Sequence, residues 1–147
     1  MEDSDILQIE AHRSALKREW EALLRTEPTL SPLGNPDTLV YMMDETLDRL
    51  FSDLRQHAPV PDQLSQRSPL QRRCSCGLNP LLNYYATGEL AVHAASSKLF
   101  GPSTEEMVAV FHHLAEREID MLCSVCCYRD HPTHAKRRSD QLANSGR

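Results

Sequence analysis

The chain has 147 residues, 40% of them hydrophobic and 25% charged, and a formal net charge of −5. That length fits one domain with its own core, and the acidic balance argues against a nucleic-acid binder that works through a basic face. The N-terminus, "MEDSDILQIEAHRSALKREW", lacks the apolar stretch of a secretory leader, and no apolar run approaches the ~20 residues a membrane-spanning helix needs.

From the N-terminus, Ile6, Ile9, Arg13, Leu16, Trp20 and Leu23 step by three and four, which predicts an amphipathic helix over 5–25 with Arg13 as the polar member of its stripe. Ser4 or Asp5 can cap it and Pro28 ends it. After the linker "TLSPLGNPD", Asn35-Pro36 is an N-cap followed by a proline in the first turn, where a missing N–H costs nothing. The helix it opens extends to about residue 57, with Val40, Met43, Leu47, Leu50, Phe51 and Leu54 on one face and acidic residues mostly on the other.

A connection over 58–73 follows, with Pro59, Pro61 and Pro69 in it, longer than the ~2–8 residues that usually join bundle helices. Asn79-Pro80 repeats the cap signature and starts a helix that reaches residue 100. Leu82, Tyr85, Val92 and Leu99 form its stripe; Tyr84 and Tyr85 read as core, and Gly88 as the mark of a close helix contact. "GPST" is a tight turn, with Ser103 and Glu106 as a capping box. The last helix spans 104–128 on Val108, Phe111, Ala115, Ile119 and Leu122, broadened by Met107, Leu114 and Met121. Strand signals are absent. The expectation is an all-α four-helix bundle of antiparallel helices, with one long connection between the second and third, spanning 1–137, and a disordered tail over 138–147.

The chemistry concentrates in the cysteines. Without a leader the protein is expected in the cytoplasm, where thiols stay reduced, so its five cysteines read as ligands, redox switches or packing rather than structural disulfides. The short turn at Gly101 makes the last two helices a hairpin, and residues equally far from the turn lie at similar height. Cys76 stands 25 positions before Gly101 and Cys126 stands 25 after it. "RRCSCG", with Cys74 and Cys76, should therefore lie beside "CSVCC", with Cys123, Cys126 and Cys127. His131 and His134 follow at once. Zn²⁺ asks for four N or S ligands in a tetrahedron. Cys74, Cys76, Cys123 and Cys126 supply four, and Cys127, His131 or His134 can replace one of them. An iron–sulfur cluster is the second metal candidate. A reversible disulfide between the pairs is a further reading. It is weakened because the helix C-terminus disfavours thiolate. Inert packing is the bland alternative, since cysteine is often a small buried hydrophobe.

A second polar group lies in "FHHLAEREID". His112 and Glu116 are four apart, and the hairpin register sets Glu89 and His93 against them, which would suit a carboxylate-bridged iron pair. The plainer reading is a solvated face with i, i+4 pairs. The basic runs at 72–74 and 134–139 read as solvent-facing, with a weak contact to an acidic partner as the alternative. No phosphate loop, G-x-S-x-G or H-E-x-x-H occurs, so an enzyme is the least favoured class and no catalytic residue is assigned. Two readings lead: a regulatory or sensor module whose cysteine cluster binds metal or responds to redox state, and a protein–protein interaction bundle with inert cysteines, its partner another protein or a second copy in a homodimer.

Overall fold

The apolar periodicity of the sequence becomes helix in the computed structural model, which describes residues 2–28, 34–56, 69–70, 73–74, 77–100 and 104–126. In chain order these hold α1 (Asp3–Ala11), α2 (Arg13–Thr26), the four-residue α3 (Pro36–Leu39), a tight 3-10 turn (Val40–Met42), α4 (Met43–Arg55), α5 (Leu81–Phe100) and α6 (Thr104–Cys126). The protein is all-α, with no strand among the described residues. The first predicted helix is two helices here, so five helices of nine residues or more stand where four were expected.

The break at His12 has a local cause. Its ring Nδ1–H donates to the Gln8 carbonyl at 2.9 Å, the acceptor that a continuous helix would offer to the His12 amide. That amide bonds Ile9 O instead, at 2.9 Å, and the amides of Ala15 and Leu16 start afresh on His12 O. At α1's start, the Asp5 carboxylate reaches back to the Glu2 N–H. The two Asn-Pro starts form as read. Asn35 Oδ1 accepts from Asp37 N–H at 3.0 Å, and Asn79 Oδ1 accepts from Leu81 N–H at 2.9 Å, each satisfying an orphan donor of the first turn. The predicted 36–57 helix is interrupted by the Val40–Met42 turn, which leaves Tyr41 exposed.

Ion pairs fix the directions of packing. Glu10 pairs with Arg55, Arg13 with Asp48 and Lys17 with Asp44, so α1 and α2 run antiparallel to α4. Arg13, the polar member of the first stripe, lies half-buried and forks across Asp44 and Asp48. Glu89 meets His112 and Asn79 meets Cys123, so α5 and α6 are antiparallel in the register counted from Gly101.

The core is built around Trp20, which is fully buried. Its ring centroid lies 4.6 Å from that of Tyr84 and 5.6 Å from that of Phe111, and its indole N–H donates to the Tyr84 carbonyl at 2.9 Å. Ile6, Ile9, Leu16, Met43, Leu47, Leu50, Leu114 and Ile119 close around it, each contributing about 1.5–3 kcal/mol by leaving water. Tyr84 is core, as read: its hydroxyl meets Thr46 Oγ1 at 2.9 Å. Met121, by contrast, is exposed rather than part of the α6 stripe. The Ser103 cap, the residues of the long connection except Pro69, Leu70 and Arg73, and the 138–147 tail lie outside the described residues.

Candidate functional site

The last two turns of α6 receive the segment that leads into α5. Arg73 forks onto Asp120, with Nε and Nη2 at 3.0 and 2.9 Å from its two oxygens, and its Nη1 lies 2.9 Å from Glu116. A bidentate arginine–carboxylate pair is geometrically specific. The hydrogen bond to Asp120, opposed by partial burial and aided by the charge of Glu116, raises the guanidinium pKa above its ordinary value. The chain then turns: Gly77 N–H donates to Cys74 O at 3.2 Å. Gly77 has φ +69°, a backbone region costly for side chains with a Cβ. Asn79 closes the attachment, its amide donating to Ile119 O and to the Cys123 sulfur, both at 3.1 Å.

Of the sequence-predicted ligands, Cys74 is buried among core residues and Cys123 is half-buried against the core. Both are thiols. Cys126 is the final residue of α6. Cys76, Cys127, His131 and His134 lie outside the described residues. The segment bearing Cys74 is thus tied to α6 within a turn of Cys123. Among the described residues no group of three or more His, Cys, Asp or Glu is placed to hold a metal ion.

The second polar group takes another form than an iron pair. His112 is buried, and its Nδ1–H donates to Glu89 Oε2 at 2.6 Å. Glu116 Oε1 lies 3.6 Å from His112 Nε2 and accepts from Arg73. The Glu116 oxygen nearest His112 is thus already paired with a guanidinium. His93 is exposed.

The pairing of Arg73 with Asp120 and the second role of Asn79 are not legible in the sequence. Arg73 carries no local signal in a basic run, and Asn79 was legible only as a helix cap. Leu78, Met121 and Val125 are exposed large apolar residues on the segment and helix turns that meet here. Compared with protein-family models, with curated proteins and with solved structures, the chain finds no match.

Proposed function

We propose that the chain is a small regulatory module whose cysteine-bearing end binds a metal, zinc first and an iron–sulfur cluster second, and reshapes that end for a partner protein. The observation that carries this is the polar attachment of the Cys74 segment to α6 through Arg73 and Asn79, with the Asn79 amide on the Cys123 sulfur. It supports the convergence of two cysteine-bearing stretches, which a tetrahedral thiolate site requires. In this reading Cys74, Cys76, Cys123 and Cys126 are the ligands, with Cys127, His131 or His134 as replacements. Zinc binding releases the thiol protons and couples to folding of that end. Response to redox state is the variant of the same reading without metal. A reducing, cytoplasmic setting suits such thiols. Counting α1 and α2, which only His12 separates, as one interrupted helix gives the four-helix bundle expected of the sequence.

A second reading is an interaction bundle with inert cysteines. Burial of Cys74 among core side chains favours it, as do the exposed Leu78, Met121 and Val125. Elemental analysis of the full chain, purified reduced and without oxygen, separates the two when combined with a count of reactive thiols. One zinc or stoichiometric iron, with thiols protected until chelator is added, supports the metal module. No metal, with chelator-insensitive thiols, leaves the interaction bundle.

A further inference from the structure

Among the described residues His112 is the one buried histidine. One face of its ring system is satisfied and the other is not. Nδ1–H donates to Glu89, so in the neutral ring Nε2 carries a lone pair. That atom is buried and has no hydrogen-bond partner. The nearest charged oxygen is Glu116 Oε1 at 3.6 Å, itself an acceptor. An acceptor therefore faces an acceptor, an arrangement that costs free energy inside a protein. The same Glu116 oxygen receives Arg73, and Arg73 holds the segment that carries Cys74.

We propose that His112 is a proton-operated latch on the Cys74 segment: a proton taken up at Nε2 weakens the clasp of Arg73 on α6. A protonated Nε2 becomes a donor aimed at Glu116 and competes with Arg73 for that carboxylate. The added charge has the same sign as the guanidinium and acts on it through the Glu116 oxygen that the two groups share. The groups around the ring are Glu89 from α5, Glu116 from α6 and, through Glu116, Arg73 from the segment. His113 Nδ1 lies 3.9 Å from the other Glu116 oxygen. From α4, Arg49 and Asp53 pair with Glu118 and Arg117 instead. From α5, Tyr85 packs its ring on Phe111. By reciprocity, release of Arg73 favours proton uptake by His112. The latch acts on the end assigned above to metal binding, but it does not depend on a metal, and its test uses metal-free, reduced protein.

The test follows the Arg73 Nε–H and Gly77 amide signals by NMR in the full chain between pH 5 and 8, and Gly77 amide exchange corrected for its intrinsic pH dependence. The expected result is one shared transition, with corrected exchange about threefold faster or more at the acid end. It disappears in His112→Gln and in Glu116→Gln and survives in His113→Gln. Flat signals, slower corrected exchange at low pH, a transition that survives His112→Gln, or one lost in His113→Gln overturns the proposal. If His112→Gln fails to fold, the more exposed Glu116→Gln decides: a transition that persists there overturns it.

Discussion

Gly88 leaves no room for a side chain beside Trp20: a Cβ built on it would lie 2.6 Å from Cζ2 of the indole and 2.6 Å from Cζ of Phe111. Both atoms belong to rigid rings that are fully buried. Alanine is the better helix former by ~1 kcal/mol. Overpacking costs about 1–3 kcal/mol, and here the clash is with two rings at once. Gly88→Ala is therefore expected to lower stability by about 1–2 kcal/mol net, read as a lower midpoint in urea with an unchanged slope. A neutral or stabilising outcome would mean that α5 can move away from α2 and α6.

Tyr84 and Tyr85 tie stability to alkaline pH. Burial pushes the Tyr85 phenol up to about 12 and raises that of Tyr84 as well, against the opposing hydrogen bond to Thr46. The unfolded chain thus loses these protons first, near pH ~10. Stability from this source is intact below that pH and falls as pH rises toward the folded value. Thermal melts from pH 8 to 11.5 should show a decline that steepens above pH ~10. Tyr85→Phe should flatten it.

Asn79 joins two functions in one amide, a helix cap and a contact to the Cys123 sulfur. Asn79→Ala should cost about 1–2 kcal/mol and speed alkylation of Cys123. Asn79→Asp keeps the capping oxygen but loses the donor to sulfur. It should recover much of the stability while its carboxylate disfavours the neighbouring thiolate. Mass-spectrometric labelling of Cys123 in both variants checks this; equal labelling in wild type and Asn79→Ala would show that the contact does not control the thiol.

The metal reading makes a sharper demand. Replacing Cys76 and Cys123 together with Ser should abolish any rise in melting temperature on adding zinc to chelator-stripped protein. If zinc still stabilises the double variant by the wild-type amount, these cysteines are not its ligands.

Exposed ion pairs should matter little by comparison. Arg13→Ala removes the fork on Asp44 and Asp48, where side-chain hydrogen bonding to Lys17 and Arg13, partly opposed by desolvation, holds the Asp44 carboxyl below its usual range. Asp44 and Asp48 are more than half exposed, so a loss of roughly 0.2–1 kcal/mol is expected, shrinking with added salt. Denaturation at low and high salt checks it.

What could be read in advance was what local periodicity and capping encode. The steps from Leu47 to Leu54 and from Val108 to Ile119 identify buried faces, and the two Asn-Pro signatures identify helix starts. The count from Gly101 brings Asn79 level with Cys123 and Glu89 level with His113, one position from the His112 it meets, because a helical rise of ~1.5 Å per residue leaves little freedom in a short-turn hairpin. The rest depends on contacts distant in sequence or on one side chain's choice. The break at His12 needs its ring to find the Gln8 carbonyl. Arg73 earns a role only because Glu116 and Asp120 share a face that meets it. His112 sits among residues that read as a solvated face, yet Glu89 draws it inward. Met121 is one position off the buried arc, which is enough to turn it out to solvent.

Trp20 is the sole tryptophan of the chain, and it stands where α2, α5 and α6 meet, enclosed by Tyr84 and Phe111 with its N–H engaged. The molecule thus carries its own optical gauge. Its emission reports one junction of three helices, short in wavelength while that junction is dry and longer once water enters. Nearby phenols can pass excitation to it, so selective excitation of tyrosine against tryptophan distinguishes a loosened junction from a fully opened chain without any label.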